Sequence, residues 1–208
     1  MAIPGGYARL KNGAMRPTAG AMNRAVFLDR DGTLNRLAAP GDYVRAPGQV
    51  ELLRGAAHAV GMLRRAGYLC VIVSNQRGVA LGLMTEDELT TVDARVRELI
   101  GGLDASYYCT HSIGSGCDCR KPEPGLLLRA AEELDIDLEA SWMIGDSATD
   151  VDTGVAAGCK TLRVQPVDFS LLDAAHGIIA GNAQPAWTAP PSCTSVLSPA
   201  KKIISIVP

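Results

Sequence analysis

Long hydrophobic runs are absent from this chain of 208 residues, and no apolar stretch approaches the ~18 residues of a membrane-spanning helix. The first residues lack a charged segment followed by an apolar core, so no signal peptide is visible. An excess of one charge is also missing: the formal net charge is −2, and the basic residues form only isolated pairs such as Arg64-Arg65. We therefore expect a cytoplasmic protein, a monomer, with no membrane and no nucleic acid among its partners.

The length predicts one ordinary domain, and a hydrophobic fraction of 47% is enough for a proper core. Residues 1–24 are rich in Gly, Ala, Arg and Met without periodicity, which predicts a loose N-terminal arm. Residues 25–180 carry the patterns of a folded domain. Residues 181–208 turn to Pro, Ala, Ser and Thr and are predicted to form a loosely packed C-terminal tail.

Short apolar runs alternate with helical patterns along this domain. Buried strands are predicted at residues 25–29, 69–73, 105–109, 141–144 and 160–164. Helices are predicted at 50–66, 85–100, 126–134 and 149–157, the second of them opening with a capping box of Thr85 and Glu88. Strands that alternate with helices predict an α/β fold, with a Rossmann-like parallel sheet covered by helices on both faces.

The most informative segment of the chain is residues 26–35, which read VFLDRDGTLN. A short apolar run delivers Asp29 and Asp31 onto a Gly-Thr turn, so both carboxylates lie near the carboxyl end of the first predicted strand. Open α/β sheets bind their ligands at that end. Two carboxylates so placed can divide the work, one as a nucleophile and the other as a proton donor and acceptor.

Three further polar sites follow predicted strands. Ser74 comes directly after the second strand, Lys121 lies in the segment after the third, and Asp146 follows the fourth, with Asp150 four residues on. With the two aspartates of residues 26–35, they supply the nucleophile, acid/base, hydroxyl, ammonium group and cation-binding carboxylate that phosphoryl transfer requires. Mg²⁺ is the expected cation because it prefers carboxylate and phosphate oxygens. Any one aspartate in an Asp-Gly pair can instead be a simple turn cap.

Taken together, these motifs resemble those of the haloacid dehalogenase (HAD) superfamily of phosphatases over roughly residues 25–165. The resemblance implies that Asp29 forms an aspartyl-phosphate, and that Asp31 protonates the leaving oxygen and then activates the hydrolytic water. It further implies that Ser74 and Lys121 hold the phosphoryl group. The metal ligands that it implies for Mg²⁺ are Asp29, the Asp31 backbone carbonyl and Asp146, with Asp150 orienting this cluster or the lysine.

A second group of metal-binding residue types lies in the loop that precedes Lys121. It consists of Cys109, His111, Cys117 and Cys119. Three thiolates and one imidazole match a tetrahedral structural zinc site with no position left for water. One residue separates the members of each pair, rather than the commoner two, and three free cysteines in a loop are the alternative. A closed zinc site would stiffen this loop and hold Arg120 and Lys121 at the active site.

The zinc-loop pattern resembles two branches of the superfamily, the heptose bisphosphate phosphatases and the histidinol-phosphate phosphatases. Both are small and have no large cap, and only about 38 residues separate Asn35 from Ser74 here. Residues 75–82, NQRGVALG, and 41–44, GDYV, look like the heptose branch. The five-residue gap of the zinc loop and residues 147–150, SATD, favour the histidinol-phosphate branch.

Two arginines weigh toward the heptose branch. Arg77 and Arg120 can each hold a second phosphate, because guanidinium binds phosphate bidentately, although each is also a plausible surface arginine. The other candidates for substrate binding are Gly41, Asp42, Tyr43, Asn75, Gln76 and Ser147.

We therefore expect a Mg²⁺-dependent phosphatase with a zinc-stiffened loop, acting on a small phosphorylated metabolite. The resemblance favours the 7-phosphate of a D-glycero-D-manno-heptose 1,7-bisphosphate as the group removed. The alternatives are hydrolysis of histidinol phosphate and a non-catalytic, zinc-stabilised phosphosugar-binding protein. The presence of Asp31 argues against the last, since a binding protein would be free to lose its acid/base.

Overall fold

The computed structural model describes residues 7–9, 15–17, 22–165 and 168–184. Strands β1 (Tyr7–Arg9) and β2 (Met15–Pro17) pair antiparallel inside the segment predicted as a loose arm, which is a departure from that prediction. The pair Asn12-Gly13 lies between them in the sequence and is a hairpin signal that periodicity alone does not detect. Of the predicted tail, only residues 181–184 are among those described.

A five-stranded parallel sheet forms the centre of the domain. Its strands are β3 (Arg24–Leu28), β4 (Tyr68–Asn75), β5 (Ala105–Cys109), β6 (Trp142–Gly145) and β7 (Lys160–Arg163). Their order across the sheet is β5-β4-β3-β6-β7, and every neighbouring pair is parallel. The chain builds outward from β3 and then returns to add β6 on the other side of it. This reversal opens a crevice at the carboxyl end of β3, where such sheets bind ligands.

Five helices connect and cover the strands. They are α1 (Ala56–Arg65), α2 (Glu86–Ile100), α3 (Gly125–Leu134), α4 (Ala148–Ala157) and α5 (Leu171–Ile179). The capping box predicted for α2 is confirmed, since Thr85 accepts a bond from the Glu88 N–H and Glu88 accepts one from the Thr85 N–H. Among the described helices, none combines the length and apolar character needed to cross a bilayer.

Two helix predictions were incomplete. Helix α1 was predicted from residue 50 but begins at Ala56, because Gly55 adopts a left-handed φ of +82° as its N-cap and Leu52 bridges to Asn35 instead. Helix α5 was not predicted. It opens with a capping box of Ser170 and Asp173, a signal that the sequence analysis missed.

The core has two layers, one on each face of the sheet, as predicted. Residues of α1, α2 and α5 pack against one face, and residues of α3 and α4 pack against the other. Along β3, Val26 and Leu28 point into the first layer while Ala25 and Phe27 point into the second. Both faces of β3 are therefore buried, which explains why its sequence is a continuous apolar run rather than an alternating one.

Candidate active site

A cavity of about 480 Å³ lies at the carboxyl end of the sheet. One wall comes from the ends of the strands and the turns after them: Asp29, Asp31, Ser74, Asn75, Lys121, Asp146, Ser147, Thr149 and Asp150. The opposite wall is the loop of residues 37–44, which includes the predicted Gly41, Asp42 and Tyr43. The structure thus brings most of the predicted site residues into one cavity. Thr149 and residues 37–40 also line the cavity, although they were not predicted as site residues.

Lys121 is the centre of the buried electrostatics. Its side chain is 3% exposed, and its Nζ donates to Asp29 Oδ1 at 2.7 Å, to the Val73 carbonyl at 3.0 Å and to Asp150 Oδ1. Burial alone would lower the pKa of Lys121, but Asp29 and Asp150 outweigh it and raise the pKa. The ammonium group is therefore charged, and it is fixed beside the predicted nucleophile.

Asp150 is buried and holds this lysine from the far side. Its second oxygen accepts bonds from the Ser147 N–H at 3.0 Å and from the Ser147 hydroxyl, which closes the capping box at the start of α4. A Cβ at Gly145 would overlap the Asp150 carboxylate, so only glycine fits at the end of β6. Asp150 therefore contacts both Lys121 and the start of α4, and its predicted orienting role stays a prediction.

Asn75 ties the end of β4 to the backbone of Lys121. Its amide Nδ2 donates to the Lys121 carbonyl at 3.1 Å, and its Oδ1 accepts the Lys121 N–H at 3.1 Å. Both polar groups of the Asn75 side chain are used in this reciprocal pair. Asn75, which was predicted to bind substrate, lines the cavity and also fixes the position of the Lys121 backbone.

The donor set of the acidic cluster fits a hard divalent cation. Ligand oxygens of Asp29, Asp146 and Asp150 lie within 4.8 Å of one another. Burial, and then the charges of Asp29 and Asp150, raise the pKa of Asp146 to about 6. Burial also raises the pKa of Asp29, although Lys121 opposes it. Three carboxylates against one ammonium leave negative charge that a cation would neutralise, and Mg²⁺ prefers such oxygen ligands.

Gly32 allows the turn after β3 to pass close to this cluster. It has a φ of +90°, and a Cβ there would overlap the Asp146 carboxylate. The Asp146 backbone is held in turn by Arg163, whose Nε donates to the Asp146 carbonyl at 2.8 Å. The position of Asp146 is therefore set by the backbone of the Gly32 turn and by the Arg163 side chain of β7.

Asp31 lies at the cavity wall, and four N–H donors reach its carboxylate. They come from Arg30 Nε and Nη2, Asn35 Nδ2 and Gln76 Nε2, at 2.8 to 3.1 Å. Gln76 also donates to Ser74 Oγ at 3.2 Å. Sequence reasoning missed Arg30 and Asn35, both fully buried, because a one-dimensional pattern gives no reason to bury a polar residue.

Three predicted substrate-binding residues do not line the cavity. Gln76 is fully buried behind Asp31. Arg77 is half-buried, and its Nε has no hydrogen-bond partner within the described ranges. Arg120 is half-buried and donates from Nη1 to the His111 carbonyl at 3.3 Å. Their predicted contacts with substrate remain predictions.

The Cys/His cluster has the dimensions of a tetrahedral zinc site. The Sγ atoms of Cys109 and Cys117 are 3.8 Å apart, and His111 Nδ1 lies 3.6 Å from Cys109 Sγ and 3.1 Å from Cys119 Sγ. Zinc bonds of about 2.3 Å to sulfur and about 2.1 Å to nitrogen give tetrahedral edges of about 3.8 and 3.6 Å. Two of the three distances match these edges and the His111–Cys119 distance is shorter, so the four residues fit zinc after a small displacement, with Nδ1 as the imidazole ligand.

The comparisons with known proteins identify the family. The HAD-hydrolase-like family model matches residues 118–181. The chain is 41% identical over 149 residues to the D-glycero-β-D-manno-heptose-1,7-bisphosphate 7-phosphatase of Pasteurella multocida, covering 67% of this chain and 79% of that protein. The enzyme of the same name from Escherichia coli is 38% identical over 148 residues, covering 66% of this chain and 76% of that protein.

A solved structure shares the fold. The D,D-heptose 1,7-bisphosphate phosphatase from B. bronchiseptica, crystallised with magnesium and phosphate, superposes with a TM-score of 0.69 at 27% identity. The match covers 77% of this chain and 99% of that one. The chain therefore belongs to the HAD superfamily of phosphatases, in the family that contains the D-glycero-β-D-manno-heptose-1,7-bisphosphate 7-phosphatases.

Proposed function

We propose that this protein is a Mg²⁺-dependent phosphatase that removes the 7-phosphate of D-glycero-β-D-manno-heptose 1,7-bisphosphate. The observation that carries the proposal is the convergence of Asp29, Asp31, Ser74, Lys121 and Asp146 in one open cavity. The substrate follows from the names of relatives that are up to 41% identical. The expected cytoplasmic location and monomeric state stay predictions.

The side chains support a two-step reaction. Asp29 attacks phosphorus while the bond between phosphorus and the ester oxygen breaks, and Asp31 gives its proton to that oxygen. The heptose 1-phosphate leaves, and an aspartyl-phosphate remains on Asp29. Asp31, now a carboxylate, takes a proton from a water molecule that attacks the aspartyl-phosphate. Inorganic phosphate leaves, and both aspartates return to their starting states.

Two groups hold the phosphoryl oxygens during both steps. Lys121 supplies a fixed positive charge 2.7 Å from the nucleophile, and Ser74 supplies a hydroxyl at the end of β4. Both are almost fully buried, so their interactions act in a low dielectric and need little rearrangement.

Each metal has a set of residues that would hold it. The carboxylates of Asp29 and Asp146, with the Asp31 backbone carbonyl, would hold Mg²⁺, since the Asp150 oxygens are engaged by Lys121 and Ser147. Bound Mg²⁺ supplies neutralisation of the charge on the phosphoryl oxygens. Cys109, His111, Cys117 and Cys119 would hold a structural zinc ion.

Competing substrates test the proposal. We expect the purified protein with Mg²⁺ to release phosphate from the β-heptose 1,7-bisphosphate with a kcat/KM at least ~100-fold above that for histidinol phosphate, or roughly 2.7 kcal/mol of transition-state discrimination. The relatives do not favour histidinol phosphate or a binding role without turnover. Comparable slow turnover of both compounds would support the phosphatase reaction but would mean that the physiological substrate is a different phosphorylated metabolite.

Arg120 tests how the second phosphate is recognised. Because guanidinium binds phosphate bidentately, Arg120→Ala should lower kcat/KM for the bisphosphate by about tenfold and that for a monophosphate much less. Arg129→Ala is the matched control, since Arg129 is an exposed arginine paired with Glu133. Equal losses on both substrates would remove Arg120 from substrate selection.

A further inference from the structure

Arg30, between the two aspartates of the catalytic turn, is the largest fully buried side chain of the described residues. Its Nε donates to Asp31 Oδ1 at 3.1 Å and its Nη2 to Asp31 Oδ2 at 2.8 Å, a bidentate pair. Nη2 also donates to Gln76 Oε1 at 3.0 Å. Within the described part of the chain, Nη1 has no hydrogen-bond partner.

This arrangement is a poor source of stability. Burying an ion pair is often no better for folding than burying apolar side chains of similar volume, and an unpartnered N–H adds a further cost. Asp31 is the only carboxylate with which Arg30 forms a salt bridge among the described residues. The contacts between Arg30 and Asp31 therefore indicate a role in the reaction rather than in stability.

Four donors bind both oxygens of the Asp31 carboxyl group. Oδ1 accepts from Arg30 and from Asn35 at 2.8 Å, and Oδ2 accepts from Arg30 and from Gln76 at 2.8 Å. Donors from three side chains on different parts of the chain therefore fix the plane and the direction of this carboxyl group.

The ring of Tyr108 packs against the guanidinium group of Arg30. Its centroid lies 5.9 Å from Arg30 Cζ, and its hydroxyl donates to Asp93 Oδ1 at 2.7 Å, which fixes the ring. Gln76 is fixed as well, because its amide N–H groups reach both Asp31 and Ser74. Arg30 and Gln76 thus form a rigid pair of donors on the side of Asp31 away from solvent.

We propose that Arg30 and Gln76 are positioning residues that clamp Asp31 and fix the direction in which its carboxyl group faces the substrate. The inference rests on the proposed function. When the ester bond breaks, the Asp31 O–H bond also breaks, its proton goes to the leaving oxygen, and the electron pair of that bond stays on Asp31. The same carboxylate then accepts a proton from the attacking water.

Leaving-group dependence separates this role from a structural one. p-Nitrophenyl phosphate releases a stabilised anion that needs little protonation, whereas a sugar alkoxide needs a general acid, which contributes about 10²–10⁴-fold. Gln76→Met should therefore lower kcat/KM for the heptose bisphosphate by about 10- to 100-fold, and that for p-nitrophenyl phosphate by less than about threefold.

A second signature comes from the second step, in which Asp31 acts as a base for either substrate. With p-nitrophenyl phosphate, Gln76→Met should lower kcat and KM together and show a burst of nitrophenolate, because the aspartyl-phosphate accumulates. Arg30→Lys keeps the charge but loses the fork geometry, so it should show the same pattern, more weakly. Arg30→Lys changes the buried guanidinium group directly. If the Arg30→Lys variant fails to fold, the Gln76→Met variant tests the clamp alone.

Arg64→Met is the control, because it removes a half-buried arginine–aspartate pair with Asp104, away from the cavity. It should leave the ratio of the two kcat/KM values unchanged. Parallel losses on both substrates in Gln76→Met, or no loss, would overturn the clamp while leaving the phosphatase in place. A wild-type protein that turns over neither substrate would overturn the proposed function and the clamp with it.

Discussion

The acidic cluster and the Cys/His cluster are built in opposite ways. Asp29, Asp146 and Asp150 come from strand ends and the first turn of α4, and Lys121 compensates part of their charge from within. The Cys/His cluster has one residue, Cys109, at the end of a strand, and the rest of it lies in residues 110–124, which contain no helix or strand.

This difference separates a site that the fold organises from one that a bound zinc ion would organise. Strand ends have fixed positions, so the acidic cluster has its geometry before any cation binds. The loop has few backbone restraints, among them the bond from the Gly125 N–H to the Asp118 carbonyl at 2.9 Å. Metal binding in such a loop is coupled to its folding. Lys121 lies in the same segment, two residues after Cys119, so zinc bound at the second site would restrain a residue of the first.

The most damaging substitution should be in the acidic cluster. Asp29→Asn removes the nucleophile, and we expect kcat to fall by at least ~10³-fold. Because burial already raises the pKa of Asp29, the neutral amide should cost the fold little, and thermal unfolding should stay cooperative. The checks are phosphate release and calorimetry. Retained turnover in the Asp29→Asn variant, in a sample free of deamidation, would contradict the aspartyl-phosphate mechanism.

Zinc removal should affect the Cys/His cluster in a different way. Cys117→Ser should reduce the metal content from about one zinc per chain, lower the Tm and lower kcat by about tenfold or more, because the loop that carries Lys121 loses its tie. Metal analysis, calorimetry and phosphate-release kinetics measure the three effects. Cys159→Ala is the matched control, since Cys159 is a buried cysteine outside the cluster. A zinc-free variant with full activity would contradict the prediction that zinc holds the loop and Lys121 in place.

The link between the two regions can be cut at Asn75. Asn75→Ala removes both bonds to the Lys121 backbone, and leaving those groups without partners costs about 1–3 kcal/mol. We expect kcat to fall by about tenfold with unchanged zinc content. Steady-state kinetics and metal analysis of the same sample test this. A loss of zinc together with activity would mean that Asn75 supports the loop rather than the position of Lys121.

Two residues of the acidic cluster, Asp29 and Asp146, could be predicted from the sequence because each comes at the end of an apolar run. A chain position after a buried strand translates into a place at the carboxyl edge of a parallel sheet, and this local rule located Asp29, Ser74 and Asp146. The same rule found the parallel sheet and the absence of a large insert between Asn35 and Ser74. These features depend on local sequence and on one general property of α/β folds.

The clamp around Asp31 was not readable in this way. Arg30 has no local reason to be buried, since its partner Gln76 lies 46 positions away in sequence and meets it only because β3 and β4 are neighbours. The start of α1 was missed for a similar reason: Leu52 and Leu53 fit a helical spacing but pack against the core from a non-helical segment. Tertiary contacts decided these positions, not local propensity.

The smallest effect expected is a pH dependence confined to the acidic cluster. The pKa of Asp146, about 6, lies above its ordinary value, so below that pH the carboxyl holds a proton that a cation must displace. Its ionised fraction is roughly a quarter at about pH 5.5 and nine-tenths at about pH 7, so Mg²⁺ affinity should fall about fourfold between them. Calorimetric titration measures this, and Asp146→Asn should remove the proton release that accompanies binding. Equal affinity at both pH values would mean that Asp146 is ionised throughout. Lys121 would then compensate more of the cluster's charge than the burial of Asp146 suggests.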